Sequence, residues 1–142
     1  MTHNRLATTQ CPCGLPNNYD ACCGVFIAGK ALPPTPEALM RSRYTAFAKA
    51  NIEYIIDTMK APAATGFNPE QARTWALTNT WLGLEVKNSS AQTKRGYVEF
   101  LAHFSRDGKA DYLHEISEFR KDDGKWFYID GEGPRKRSSL TK

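Results

Sequence analysis

The sequence contains no long hydrophobic run and no glycine-rich phosphate-binding loop. Among its 142 residues, no stretch approaches the roughly 18 consecutive apolar residues that a membrane-spanning helix requires. Residues 2–5 are polar or charged and lead into no apolar core of a secretory signal. These absences argue against a membrane span and against the common nucleotide-binding motifs. We therefore expect a cytoplasmic protein.

Excess charge is also absent from most of the chain. The formal net charge is +4, and residues 135–142 contain four basic residues and no acidic one. The remaining 15 basic residues balance 15 acidic residues. A solvated end is a commoner role for such a basic tail than phosphate binding. The charge therefore gives no grounds for a nucleic-acid partner.

Cysteines are scarce, and all of them lie near the N-terminus. The four occur within 13 residues, and the 119 residues that follow contain none. A disulfide framework would be expected to close longer loops, and a cytoplasmic protein keeps its thiols reduced. Four clustered thiols instead favour a closed tetrahedral metal site, in which Zn²⁺ is the usual ion. Free or loosely disulfide-bonded thiols are the alternative.

The order of the cysteines allows four sulfurs to reach one ion only if the backbone turns at each pair. In Cys11-Pro12-Cys13-Gly14, the glycine can adopt the positive φ that a metal-binding turn often needs. Cys22 and Cys23 are adjacent, and in an extended strand their side chains would point to opposite faces. A turn is therefore expected there, with Gly24 as the turn residue. The predicted ligands are Cys11, Cys13, Cys22 and Cys23.

These residues resemble a known zinc motif. Cys11-Pro12-Cys13-Gly14, seven intervening residues and Cys22-Cys23-Gly24 are similar to the SEC-C motif, which is also found at the C-terminus of the SecA export ATPase. The resemblance implies a zinc-binding module over residues 1–30, with the four cysteines as ligands. Because the SecA module contacts the SecB chaperone and the ribosome, the resemblance also implies a protein partner.

The rest of the chain resembles the YchJ-type family of bacterial proteins. The similar stretches are TPEALMRSRY at 35–44, WLGLEV at 81–86 and LHE at 113–115. This resemblance implies a nuclear-transport-factor-2-like (cystatin-like) cone over residues 31–134, in which a curved sheet wraps around helices. The basic tail, residues 135–142, would follow this domain.

The residue pattern itself predicts three helices followed by four strands. Thr35-Pro36 and Asn68-Pro69 are N-cap and proline signals that open helices, and Asn51 can cap a helix between them. Asp107-Gly108 and Asp123-Gly124 are strong hairpin signals. Helices grouped before an antiparallel sheet indicate an α+β domain. Strands are predicted at about 81–88, 94–105, 110–121 and 125–130.

Treating each Asp-Gly pair as a two-residue loop predicts how the strands pair. Phe100 then faces Glu115 in the first hairpin. In the second hairpin, Phe119 faces Tyr128. Both hairpins place their aromatic and aliphatic residues on one face of the sheet. Glu115 lies on this face as well, whereas His114 lies on the other.

Glu115 is the residue of the body best suited to acid–base chemistry, because a carboxyl group among apolar neighbours fits a general acid or base. The alternative is a buried ion pair with Arg43, or with Arg41, that ties the first helix to the sheet. We favour the ion pair, since an unpaired buried charge is costly. The residues expected to form a pocket or ion pair are Arg43, Tyr44, Glu115, Trp126 and Tyr128.

Two functions of different classes follow from the sequence. The first is a non-enzymatic, zinc-containing adaptor whose cysteine module contacts a protein of export or of the ribosome, while the cone supports the module or holds a small ligand. The second is a small-molecule isomerase or hydrolyase that uses Glu115. A Glu115 locked to Arg43 favours the first, and a Glu115 free in an open cavity favours the second. We expect the adaptor, because structural zinc is the clearest chemistry in the sequence.

Overall fold

The computed structural model describes residues 10–132, so the predicted basic tail lies outside the described residues. In the described range, helices precede a single four-stranded antiparallel sheet with strands in sequential order. A 3₁₀ turn, Tyr19–Ala21, comes before helix α1. The helices are α1 (Cys23–Ile27), α2 (Pro36–Ala48), α3 (Ile52–Asp57) and α4 (Pro69–Thr78). The strands are β1 (Thr80–Ala91), β2 (Arg95–Arg106), β3 (Lys109–Asp122) and β4 (Lys125–Glu132).

Helices α2, α3 and α4 begin where the capping signals predict. Thr35, Asn51 and Asn68 each accept a hydrogen bond from the backbone N–H three residues later, at 2.9–3.1 Å. Each cap satisfies a donor that has no partner inside its helix. None of the described helices is long and apolar enough to cross a membrane.

Both Asp-Gly pairs form the predicted two-residue turns. The φ angles are 55° and 79° at Asp107-Gly108, and 50° and 78° at Asp123-Gly124. Positive φ at both central positions is the conformation that matches the twist of a hairpin. The resulting register pairs Phe100 with Glu115, and the predicted pairing in the second hairpin is also present. The α+β class and the four strands are thereby confirmed.

Three irregularities bend the sheet. The register shifts between Trp81 and Gly83 and between Val86 and Asn88 in β1, and again opposite Glu118 and Phe119, where Ile129 is the extra residue in β4. Extra residues of this kind bend a strand and increase its twist. One face of the bent sheet packs against α2. The core there consists of Leu39, Met40, Tyr44, Val98, Phe100, Ala102, Phe119 and Trp126.

Candidate metal centre and cone pocket

The four predicted cysteine ligands lie around one point. Their Sγ atoms are all within 4.8 Å of one another, and those of Cys13 and Cys22 are 3.7 Å apart. In a tetrahedral site with metal–sulfur bonds of about 2.3 Å, neighbouring sulfurs are about 3.8 Å apart. The cluster therefore has dimensions that fit a metal ion bound by four thiolates.

Two local backbone features bring the sulfurs together. After the first pair, Gly14 has a φ of 97°, and its N–H donates to the Cys11 carbonyl at 3.3 Å. At the second pair, Cys22 lies outside α1 with φ −130° and ψ −114°, whereas Cys23 is the first residue of α1. The turn expected between the adjacent cysteines is therefore the start of a helix, which directs both side chains to the same side.

Gly24 is not the predicted turn residue. It lies inside α1 and is buried. A Cβ atom at this position would lie 2.7 Å from the carbonyl oxygen of Tyr19. The absent side chain therefore allows the 3₁₀ turn to pack closely on α1, which is a tertiary reason for glycine that local turn signals do not reveal.

The thiols are too close together to ionise as a group without a cation. Burial is the largest cause that raises the pKa of the Cys22 thiol to about 12. The hydrogen bond with Cys11 is the largest cause that raises the pKa of Cys23. The corresponding bonds from Cys13 and Cys23 lower the pKa of Cys11, because their S–H groups stabilise one thiolate. Four thiolates at this spacing require a metal cation to neutralise them.

The cysteine module, residues 10–27, packs on α2. Arg41 Nη1 donates to the carbonyl of Cys13 at 2.8 Å. The sulfur of Cys11 lies 3.7 Å from the Thr45 hydroxyl. Both contacts are made from the helix that also lines the cone pocket, so the module and the pocket share a structural element.

A cavity of about 390 Å³, here called the cone pocket, lies between the helices and the sheet. This volume falls within the range of about 300–1,000 Å³ typical of small-molecule sites. Its wall is mainly aromatic and aliphatic, with few polar groups. The polar residues that line it are Arg43, Glu115, Ser117, Tyr128 and Asp130, and the aromatic ones include Tyr44, Phe47, Phe67, Trp75, Trp81 and Phe100.

Two hydroxyl groups hold the carboxylate of Glu115 in the cone pocket. Ser117 Oγ donates to Oε2 of Glu115 at 2.7 Å, and Tyr128 Oη donates to the same oxygen at 3.2 Å. Gly131 leaves room for them, because a Cβ there would collide with Oε2 and with the Tyr128 hydroxyl. Oε1 has no hydrogen-bond partner within residues 10–132. One carboxylate oxygen thus lies in the pocket without a donor from the described residues.

Arg43 lies in the cone pocket but does not form the expected ion pair with Glu115. Its Nη1 donates to the Ile55 carbonyl at 2.9 Å and to Thr58 Oγ1 at 2.7 Å. Its guanidinium carbon lies 4.4 Å from the centre of the Tyr128 ring. Within the described chain, no carboxylate oxygen is within 4.0 Å of the guanidinium nitrogens. The interaction differs from the expected one because Arg43 extends towards the end of α3.

The other expected pocket residues lie in two different environments. Tyr44 and Tyr128 line the cone pocket, whereas Trp126 is not part of its wall and is 3% exposed in the core. His114 contacts Glu99 at 2.8 Å on the opposite face of the sheet, as the register predicts. Four of the five residues therefore line the cone pocket, and their role in binding stays a prediction.

The burial of Tyr44 leads to a measurable pH effect. Burial is the largest cause that raises its pKa to about 12. The pKa of a tyrosine in an unfolded chain is about 10. The folded state therefore binds a proton that the unfolded state loses, and this contribution to stability falls as the pH rises from 10 to 12. Ultraviolet titration curves of the wild-type protein and of Tyr44→Phe should differ by the absorbance change of one phenol that ionises near pH 12. A difference already complete at pH 10 would contradict the buried position.

Comparison with known proteins identifies the family to which this chain belongs. A family model described as "YchJ, middle NTF2-like domain" matches residues 35–131. The chain belongs to the YchJ family. It is 37% identical over 138 residues to a UPF0225 protein of Geobacter sulfurreducens, covering 94% of this chain and 85% of that protein. It is 40% identical over 138 residues to a UPF0225 protein of Cupriavidus pinatubonensis, with 90% and 91% covered.

Solved structures agree with the YchJ assignment. The solution structure of a SEC-C motif containing protein from Rhodopseudomonas palustris is 40% identical, with a TM-score of 0.81 over 87% of this chain and 97% of that chain. A crystal structure of a SEC-C motif containing protein from Psychrobacter arcticus is 27% identical, with a TM-score of 0.77 over 95% and 86%. A calcium/calmodulin-dependent protein kinase type II association domain from Thiobacillus denitrificans, at 12% identity, a TM-score of 0.56 and coverage of 74% and 99%, shares the fold alone. The NTF2-like fold implied by the sequence resemblance is confirmed.

Two of the pocket residues that sequence reasoning missed lie next to the carboxylate of Glu115. Ser117 follows Glu115 by two positions, so the alternation of a strand could have placed both on one face. Gly131 lies beyond the predicted end of β4. It pairs with Ser117 only because of the register shift after Glu118, and no sequence signal predicts that shift.

Proposed function

We propose that this YchJ-family chain is a zinc-containing accessory protein whose cysteine module contacts another protein. The observation that carries the proposal is the cluster of four sulfurs within 4.8 Å, at the base of an exposed loop. A site with four protein ligands is coordinatively closed and leaves no position for a reacting water. The ion would therefore act as a structural cross-link.

Zinc is the ion that suits these ligands. Thiolates are soft ligands and, in a tetrahedral set of four, favour zinc or iron–sulfur chemistry. The separation of 3.7 Å between the sulfurs of Cys13 and Cys22 fits one central ion. Bound zinc would neutralise charge and fasten the segment around Cys11 to α1. The residues that would hold it are Cys11, Cys13, Cys22 and Cys23.

The loop between the two cysteine pairs supports a contact with a protein. Residues 14–18 are all exposed, and Leu15 is 36% exposed. The Cys11 N–H donates to the Asn17 carbonyl at 3.0 Å, and Gln10 Nε2 donates to the Leu15 carbonyl at 3.4 Å. The loop is thus closed at the metal-binding pair and presents an apolar side chain outward. So small a surface suits a weak, transient contact, and the SEC-C resemblance points to partners of protein export or of the ribosome.

Binding to purified bacterial ribosomes and to purified SecB chaperone tests the proposal. We expect the zinc-loaded protein to bind one of the two, and Leu15→Asp to weaken that binding at least tenfold without loss of zinc. Leu77→Asp is the matched control, because Leu77 is 67% exposed on α4, and its binding should equal that of wild type. Failure of the zinc-loaded protein to bind either partner would refute the proposal, as would equal losses in both variants.

An enzyme that uses Glu115 is the second candidate, and one observation favours it. The carboxylate lines an open cavity and is not locked to Arg43, which was the feature expected to distinguish the two functions. Its free oxygen could take a proton from a ligand within hydrogen-bond distance. For a ligand that the wild-type protein converts, Glu115→Gln should abolish conversion even when the ligand is saturating. Unchanged conversion would exclude the base, and this outcome is independent of the partner experiment.

A further inference from the structure

Aromatic side chains form part of the lining of the cone pocket. Four rings that contact one another, here called the aromatic wall, are Tyr44, Phe47, Trp75 and Trp81. The centroids of Trp75 and Trp81 are 5.0 Å apart, and that of Tyr44 lies 5.8 Å from Trp81. Rings at these separations expose faces and edges against which another planar ring can pack. A planar ring would therefore cover more of this wall than a branched aliphatic molecule.

At the polar end of the pocket, Glu115 offers a hydrogen-bond acceptor. Oε2 of Glu115 already accepts from Ser117 and Tyr128, whereas Oε1 has no protein donor within residues 10–132. A ligand that fills the pocket would displace water from this oxygen, and leaving the oxygen without a donor would then cost binding free energy. A ligand that packs here and supplies an N–H group would provide that partner.

The same end offers hydrogen-bond donors from Arg43. This side chain is 5% exposed, and its hydrogen bonds within the described chain all come from Nη1. Nε and Nη2 therefore have no protein acceptor there. Because guanidinium groups bind planar acceptors well, a carbonyl oxygen on the ligand would suit these donors.

The charges around the pocket favour a ligand without net charge. The cationic Arg43 and the anionic Glu115 cancel inside the pocket, whereas the carboxylate of Asp130 is exposed at the rim, where solvent screens its charge. An anion would be repelled by the carboxylate of Glu115, and an ammonium ion would place a second cation beside the buried Arg43. We propose that the cone pocket binds a neutral, planar cyclic amide, whose N–H donates to Glu115 and whose carbonyl accepts from Arg43. This assignment stands independently of any partner of the cysteine module.

A matched set of bicyclic probes tests the proposal on the zinc-loaded protein. Isoquinolin-1(2H)-one presents the amide edge, and isocoumarin replaces its N–H by a ring oxygen. Naphthalene-1-carboxylate and 1-naphthylmethylammonium test an anion and a cation of similar size. Binding is followed by the indole N–H signals in nuclear magnetic resonance spectra, since Trp75 and Trp81 line the pocket and Trp126 does not. We expect saturable shifts of the indole signals of Trp75 and Trp81 but not of Trp126. The isoquinolinone should bind at least about tenfold more tightly than isocoumarin, because the ring oxygen of isocoumarin would face the acceptor oxygen of Glu115.

Glu115→Gln provides the decisive variant. Ser117 and Tyr128 would still donate to the amide oxygen, so the amide NH₂ would face the pocket in place of an acceptor. The tenfold preference for isoquinolinone should therefore disappear or reverse. Glu99→Gln is the matched control, because Glu99 lies on the neighbouring strand and the opposite face, and it should keep the preference. An unchanged Trp126 signal shows that each variant is folded.

Four results would overturn the proposal. Tightest binding of the naphthoate would make the pocket an anion site of Arg43 alone. Tightest binding of the ammonium compound would make the aromatic wall a cation site. Absence of saturable shifts with every probe, or an unchanged preference in Glu115→Gln, would show that the polar end of the pocket does not recognise an amide.

Discussion

Replacement of Cys13 by serine should abolish metal binding and unfold the cysteine module, while the β1–β4 sheet persists. Structural zinc in small finger peptides contributes roughly 10–16 kcal/mol of apparent binding free energy, more than a short segment can replace with packing. The Cys13 side chain is 0% exposed, so the substitution also places a hydroxyl in a buried site. The sheet has its own hydrophobic core on α2, so we expect its strands to stay paired without the ion.

Metal analysis and hydrogen–deuterium exchange measure this result. Wild type should contain one zinc per chain, and Cys13→Ser should contain close to none. Amides of residues 11–27 should then exchange rapidly, whereas those of β2 and β3 stay protected. Chelation of the wild-type protein should reproduce the pattern, which serves as a control for the substitution itself. Zinc retained at one equivalent in the variant would contradict the four-ligand site. Loss of protection throughout the sheet would show that the module and cone unfold as one unit.

Much of the fold could be predicted because its signals are local. A cap such as Thr35 and a turn such as Asp107-Gly108 act within four residues, so their effect can be read without tertiary information. The ligand cluster is local as well, because four cysteines within 13 residues have few ways to surround an ion. These features are the ones that the structure reproduces.

Long-range geometry accounts for what the sequence did not reveal. The register of the sheet placed Glu115 on the helix-covered face, but no local signal says which way α2 is rotated. Arg43 consequently was expected to reach Glu115, whereas it extends to Thr58 at the end of α3. Similarly, the contact between Arg41 and the Cys13 carbonyl depends on how the module packs on α2. Contacts between elements, rather than the elements themselves, were the part that could not be predicted.

The absence of an ion pair between Arg43 and Glu115 leads to unequal effects on stability. Arg43→Met removes the hydrogen bonds that the charged guanidinium donates to the Ile55 carbonyl and to Thr58 Oγ1 in a buried region, and loss of hydrogen bonds to a charged group costs about 1.5–3 kcal/mol. Glu115→Gln keeps an oxygen that can accept from Ser117, so the free energy of unfolding should change by less than about 1 kcal/mol. Removal of one partner of a true buried pair would instead cost about 3–5 kcal/mol at either position.

A double-mutant cycle in chemical denaturation separates these cases. The coupling free energy between Arg43→Met and Glu115→Gln should be below about 0.5 kcal/mol, because the two side chains have no direct contact and their charges act only through the pocket. Thr58→Val paired with Arg43→Met is the matched control, and it should show clear coupling because these side chains share a hydrogen bond of 2.7 Å. Equal losses of about 3–5 kcal/mol in the free energy of unfolding of both single variants, with strong coupling between them, would show that Arg43 and Glu115 form an ion pair after all. Such a pair would close the polar end of the cone pocket, and the carboxylate of Glu115 would then serve stability instead of ligand binding.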